Sequence, residues 1–177
     1  MELIQAEHEN EWHQAENLLS ATILHLNSID AGLWSPDQIS SKRLREEYEL
    51  RQLFWLEHQE KRIGLVFLMD IDPTFWPEPH IHSSLFFHKL AIHPDFSGKG
   101  LGKIALDEIR RYAKRNGYEW VRLDCDDRPP LHRFYQENGY SLIDIKPMDK
   151  YMVARYELQV TRVDTDRALT IRATGSL

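Results

Sequence analysis

The chain has 177 residues, 42% of them hydrophobic, and 28 acidic against 22 basic side chains give a formal net charge of −6. That length buries one core and demands no second. The acidic balance argues against a general nucleic-acid role, and no apolar run approaches the ~20 residues that span a bilayer. A single cysteine excludes an internal disulfide. The opening Met1-Glu2-Leu3-Ile4-Gln5 lacks the basic and apolar regions of a signal peptide, so the expected compartment is the cytoplasm.

In chain order, Trp12, Ala15, Leu18, Leu19, Ile23 and Leu26 recur at helical spacing and predict a first helix over 7–26. Ser35-Pro36 predicts a second, short helix with Ser35 as N-cap. Residues 50–58 and 62–69 read as strands joined by the charged turn Gln59-Glu60-Lys61, an antiparallel hairpin. The prolines at 73, 77 and 79 make the next stretch a loop, since proline fits neither ladder nor helix there. Residues 84–92 read as a strand that Pro94-Asp95 breaks. Leu101, Ala105, Ile109, Tyr112 and Ala113 then mark an amphipathic helix. A strand over 118–125, a helix carrying Phe134 and Tyr135, and strands over 141–145 and 152–159 around a turn at Pro147-Met148-Asp149-Lys150 complete the body. Residues 161–177 lose apolar alternation and read as a tail behind one domain over 1–160.

The segment His93-Pro94-Asp95-Phe96-Ser97-Gly98-Lys99-Gly100-Leu101-Gly102-Lys103 joins an apolar strand to an amphipathic helix through three alternating glycines. At a helix N-terminus the backbone N–H groups lack partners and the dipole favours anions, while glycines let the backbone approach a phosphate. Lys103 is followed by Ile104, so the hydroxyl that holds magnesium in a nucleotide P-loop is absent, and the glycine spacing is not that of a dinucleotide loop.

The pattern resembles the acetyl-CoA pyrophosphate loop of the GCN5-related N-acetyltransferases (GNAT), Gln/Arg-x-x-Gly-x-Gly/Ala, with Ser97, Gly100 and Gly102 at its defined positions and Ser97 departing from it. His88 to Pro94 is similar to that family's fourth strand, and Arg128 to Tyr140 to its tyrosine-bearing helix. The resemblance, over about 84–146, implies an α/β fold with a mixed, mostly antiparallel sheet splayed between the fourth and fifth strands and helices on both faces. It implies an N-acetyltransferase using acetyl-CoA as co-substrate, with direct attack by a primary amine of a small molecule or peptide. A protein lysine or N-terminal acetyltransferase, or a silent CoA-binding module, stands as the alternative. The partners it implies are acetyl-CoA and the amine acceptor, with neither nucleic acid nor membrane, and it leaves a homodimer open.

The resemblance assigns backbone contacts to the cofactor's pantetheine arm at Leu90, Ala91 and Ile92. It assigns the pyrophosphate to the loop of Ser97, Gly98, Lys99, Gly100, Leu101, Gly102 and Lys103, with Phe134 nearby. Tyr135 matches the tyrosine that protonates the leaving sulfur. Where some members carry a basic glutamate this chain has Phe86. In a strand alternate side chains share a face, so Phe86, His88, Leu90 and Ile92 are expected to point together, and His88 titrates in the useful range. Asp124 competes for the base role, orients His88, or caps the next turn. Asp126 and Asp127 read as a cap for the tyrosine-bearing helix, and Arg128 stands where the family often has an asparagine. A zinc set of His80, His82, His88 and His93 and a nucleophilic Cys125 are weighed and not adopted; the expected metal is none. For the acceptor, Trp34, Phe75, Trp76 and Tyr151 offer an aromatic wall, and Asp30, Asp70, Asp72, Glu78 and Asp149 offer carboxylates.

Overall fold

Seven strands form one sheet whose order places the site. The computed structural model describes residues 1–78, 83–148 and 151–160. Its elements are β1 (Glu2–Gln5), α1 (Glu11–Ser28), α2 (Ser41–Glu47), β2 (Leu53–His58), β3 (Lys61–Met69), β4 (Ser84–Ile92), α3 (Leu101–Arg115), β5 (Trp120–Asp126), α4 (Pro129–Glu137), β6 (Ser141–Met148) and β7 (Tyr151–Gln159). The sheet order is β1-β2-β3-β4-β5-β7-β6. Among the described residues only β4 and β5 pair in parallel; the other ladders are antiparallel. This is the α/β arrangement that the resemblance implies. The expected tail, 161–177, and Asp149, Lys150, His80 and His82 lie outside the described residues. Among the described residues no helix is long and apolar enough to cross a membrane.

Alternation along the strands sends side chains to two cores. On one face Phe54, Leu56, Val66, Leu85, Phe87, Val121 and Leu123 meet Leu101, Ala105, Leu106 and Ile109 of α3 and Tyr135 of α4. On the other, Leu53, Trp55, Leu65, Phe67 and Ala91 meet Trp12, Ala15, Leu19 and Ile23 of α1 and Leu44 of α2. Each fully buried side chain of this size contributes about 1.5–3 kcal/mol, which is why the 3.6-residue pattern of α3 and the two-residue pattern of β3 are retained.

Several boundaries differ from the sequence reading, each for a local reason. Helix α1 starts at Glu11 because its carboxylate accepts the N–H groups of Glu7 and His8, both at 2.8 Å, and so holds them outside the helix. Ser35-Pro36 opens only a single 3₁₀ turn, closed by Gln38 Oε1 accepting from Ser35 N; the α-helix restarts at Ser41, where Ser40 Oγ accepts from Arg43 N. Residues 50–52 are a 3₁₀ turn ahead of β2. Strand β6 takes in Pro147 and Met148 of the expected turn, since its place at the sheet edge tolerates Pro147.

The β3–β4 connection is tied down from below. Buried Arg155 of β7 donates to the Phe75 carbonyl at 2.8 Å and pairs with Glu78 and Asp144. Its guanidinium lies over the ring of Trp76, and so does that of Arg122. Trp76 and Glu78 therefore serve as anchors of this loop, and the loop in turn presents Asp72 and Phe75 upward.

Candidate active site

The site begins where two strands part. The β4–β5 ladder ends at the pair Phe87 and Leu123, while β4 continues beside β3 to Ile92 and β5 beside β7 to Asp126. From His88 onward one edge of β4 carries no strand of the described residues. A register shift opposite Leu65–Phe67 marks a bulge here, and Lys89 takes φ 50° within it.

The bulge corrects the expected facing. Phe86 packs against Trp76, and His88 points to the α2 side, but one extra residue resets the alternation. Leu90 and Ile92 then pack on the α3 side and Ala91 on the α1 side, so the four side chains do not share a face. Lys89 reaches Glu47 at 3.7 Å and lies over Tyr48, on the same side as His88. The bulge also depends on a residue that the sequence reading passed over. A Cβ on Gly64 would sit 2.3 Å from the Ala91 carbonyl, so only glycine lets β3 approach β4 there.

The glycine loop has the form its composition suggested. Gly98 and Gly100 have φ of 72° and 71°, the left-handed region, and nothing lies within 4 Å of the Cβ that either lacks. Gly100 is the N-cap of α3 and supplies no side-chain acceptor, so the first-turn N–H groups face an open cradle. Gly102 backs onto Phe134, whose ring would stand 3.3 Å from an added Cβ. Lys99 donates to the Asp95 carbonyl and lies over Phe96; Lys103 is exposed on α3.

A cavity of about 1010 Å³ runs from this helix end through the gap between β4 and β5 to α2. Of the expected site residues, His88, Leu90, Ile92, Gly102, Asp124, Phe134 and Tyr135 line it. Ser97, Gly98, Lys99, Gly100, Leu101 and Lys103 are outside the lining, and Ala91 turns its side chain into the α1-side core. Trp34, Phe75, Tyr151 and Asp72 of the expected acceptor set also line it, whereas Trp76 is buried against Arg122 and Arg155 and Asp70 is bonded by Tyr118 at the far end of the sheet.

At the centre His88 is held by three groups from three segments. Nδ1 is 3.1 Å from the Tyr48 hydroxyl, and Nε2 is 3.0 Å from Asp72 Oδ2 and 3.3 Å from Asp124 Oδ1. Among the described residues Asp124 Oδ1 is buried without a hydrogen bond, and Nε2 lies closer to Asp72. Burial pushes the Asp124 carboxyl up to about 6 against the pull of His88. Burial lowers the basicity of His88, but the Asp72 hydrogen bond and the Asp124 charge outweigh it and hold the imidazole above its ordinary value. Donor atoms of Asp72, His88 and Asp124 lie within 4.8 Å of one another, a spacing that a cation could use; Nε2 is already committed to Asp72. His93 pairs instead with Asp95, away from His88.

Across the cavity Tyr135 packs among Phe87, Phe134, Tyr140 and Tyr156, and burial raises its phenol well above the ordinary value, which keeps the proton on it. Burial pushes the Cys125 thiol up to about 12, which leaves it a poor nucleophile. The expected cap at Asp126-Asp127 is corrected: Arg128 is the N-cap with no side-chain bond, Asp126 pairs with Arg128, and Asp127 is 2.7 Å from His132 Nε2. Tyr48 was missing from the sequence reading altogether. Nothing in its local pattern separates it from a core aromatic, and its ring does stack on Phe67 at 4.1 Å.

A family model described as an acetyltransferase (GNAT) domain matches residues 49–142. The tRNA(Met) cytidine acetyltransferase TmcA of Thermofilum pendens is 32% identical over 83 residues, 47% of this chain and 10% of that protein. The uncharacterized N-acetyltransferase YesJ of Bacillus subtilis is 29% identical over 100 residues, 54% of this chain and 56% of its own length. The chain thus spans about a tenth of the one relative and about half of the other. The structure of yncA from Salmonella typhimurium with its cofactor acetyl-CoA superposes with a TM-score of 0.62 at 15% identity, covering 92% of this chain and 96% of that one.

Proposed function

The chain belongs to the GNAT acetyltransferase family, and from that premise we propose that it transfers the acetyl group of acetyl-CoA to a primary amine of a small molecule or peptide. The observation that carries the reading is the cavity that runs from Gly102, in the first turn of α3 next to the glycine loop, through the gap between β4 and β5 to the His88 cluster. The first-turn N–H groups of α3, with Gly98 and Gly100 open beside them, suit a pyrophosphate. The free edge of β4 from His88 to Ile92 suits an amide-bearing pantetheine arm. An extended arm there brings the thioester between His88 and Tyr135.

The chemistry then needs a neutral amine, an acceptor for its proton and a donor for the leaving sulfur. The amine nitrogen attacks the thioester carbonyl, a C–N bond forms, and the developing oxyanion is met by a main-chain N–H of the β4 edge. The C–S bond breaks and the thiolate takes the Tyr135 proton. His88 receives the amine proton, and the carboxylates of Asp72 and Asp124 stabilise the imidazolium that results. Trp34, Phe75 and Tyr151 at the α2 end offer apolar and cation–π contact to the acceptor's body.

Calorimetry with acetyl-CoA, dephospho-CoA and ATP comes first, followed by a thiol-release screen of alkyl amines, peptides and cytidine. Cytidine is included because the TmcA relatives name it in tRNA, although a net charge of −6 opposes a polyanion. Micromolar acetyl-CoA binding, and a Tyr135→Phe variant whose kcat falls about 10-fold or more at unchanged KM for acetyl-CoA, are the expected results. No binding at millimolar acetyl-CoA sinks the proposal.

A further inference from the structure

We infer that Tyr48 is the group that touches the acceptor amine, passing its proton to His88, and that Asp72 is the positioning residue that makes this direction the only one open. The inference rests on the acetyl-transfer reading and goes beyond it by assigning the order of the proton's path.

Asp72 is almost wholly buried, and its Oδ1 accepts the Phe75 N–H while Oδ2 faces His88 Nε2 at 3.0 Å. A carboxylate oxygen facing a ring nitrogen at this distance acts as acceptor, so the pairing assigns the ring proton to Nε2. In the neutral imidazole Nδ1 is then the lone-pair nitrogen, and it lies 3.1 Å from the Tyr48 hydroxyl. Tyr48 therefore donates to Nδ1. The basic nitrogen of His88 is covered by this hydroxyl, and no amine reaches it except through the phenol oxygen. That oxygen keeps a lone pair, and Tyr48 lines the cavity.

The step balances without another reactant. As the amine nitrogen bonds the acetyl carbon, its N–H proton moves to the Tyr48 oxygen while the Tyr48 proton moves to Nδ1. Tyr48 ends neutral and His88 ends as imidazolium between Asp72 and Asp124. A free phenolate never forms, which matters because burial raises the Tyr48 phenol far above its ordinary range. Packing fixes the tyrosine in this position, since its ring stacks on Phe67 and its edge meets His88 at 85° between planes.

The tautomer is measurable without any acceptor. Imidazole ¹⁵N NMR, with His88 assigned by loss of its signal in His88→Gln, is expected to find the neutral ring protonated on Nε2 in the wild type and on Nδ1 in Asp72→Asn. A wild-type ring protonated on Nδ1 overturns the inference. With the amine that gives the fastest thiol release, Tyr48→Phe keeps the ring stack and is expected to lower kcat about 10-fold or more, leaving acetyl-CoA affinity unchanged. Tyr48→Phe/His88→Gln is expected to be no worse than the more damaging single variant, because both act in one relay. The proton inventory in H₂O–D₂O mixtures is expected to curve in the wild type and become linear in Tyr48→Phe. Wild-type kcat in Tyr48→Phe, or losses that multiply in the double variant, overturns the relay. Failure of the acetyl-transfer reading would show separately, as absent acetyl-CoA binding in the wild type.

Discussion

The two ends of the cavity are built by opposite means. At the α3 end the ligand surface is backbone: the first turn of α3 at Gly102, the neighbouring loop with Gly98 and Gly100 in the left-handed region, and the bare edge of β4. At the α2 end it is side chain: Tyr48, Asp72, His88 and Asp124, brought from a helix end, a loop and two strands into hydrogen-bond or ion-pair distance. A backbone surface suits a ligand whose shape does not vary, and it tolerates change in the side chains around it, as Ser97 and the exposed Lys103 illustrate. A side-chain surface can be rebuilt for a new acceptor or a new proton path without disturbing the cradle. Damage at one end should therefore appear as lost cofactor affinity, and at the other as lost turnover or acceptor recognition.

The largest departure is expected from Arg155→Ala, which removes the anchor beneath the β3–β4 connection, takes the Arg155 donor from the Phe75 carbonyl, and leaves Glu78 and Asp144 with Lys146 in place of the guanidinium. Loss of the Phe75 carbonyl's donor and of the Arg155 ion pairs is expected to cost about 1–3 kcal/mol in stability by chemical denaturation. The KM for the acceptor should rise while the acetyl-CoA affinity holds. Equal weakening of both ligands would break the division between the two ends. Next, Gly100→Ala forces a Cβ into a left-handed residue at about 1–2 kcal/mol. Calorimetry should show acetyl-CoA binding about 10-fold weaker, with kcat at saturation close to wild type.

Smaller effects sharpen the picture at the polar end. His88 is faced by Tyr48 from the end of α2, Asp72 from the β3–β4 connection, Lys89 from its own strand and Asp124 from β5. Its basicity is raised above 6.5, and turnover needs the neutral ring, so kcat/KM should rise with pH through a midpoint above 6.5. Asp124→Asn removes a negative charge that favours the imidazolium, and the midpoint should move down. Loss of the rising limb together with turnover would mean that Asp124 itself is the titrating base. The least effect is expected from Cys125→Ala: with its thiol held at about 12, kcat should stay within about 3-fold of wild type. A collapse there would replace direct attack with an acetyl-enzyme.

Contiguous features were legible in the chain. The periodicities of α1 and α3 and the hairpin of β2 and β3 appear in the structure within a few residues, and the glycine loop could be read because its turn conformation is set by a run of about ten residues. Boundaries shifted where side chains cap backbone locally, as Glu11 and Gln38 do, since capping competes with helix propensity residue by residue. The facing of β4 failed at one residue: a bulge carries no periodicity signal of its own, and one extra residue inverts every side chain beyond it.

Local sequence thus determined most of the elements, the cradle and the family, because helix period, strand alternation and glycine backbone freedom act over short distances along the chain, whereas the second helix lies at Ser41–Glu47 rather than at Ser35-Pro36. Tertiary structure alone decided the proton path. Tyr48, Asp72, His88 and Asp124 are separated by 16 to 36 residues between neighbours, and each is an ordinary polar or core residue in its own segment. Their chemistry arises only where the bulge, the Arg155 anchor and the parting of β4 from β5 bury them together, since burial and mutual charge are properties of packed space rather than of any stretch of chain.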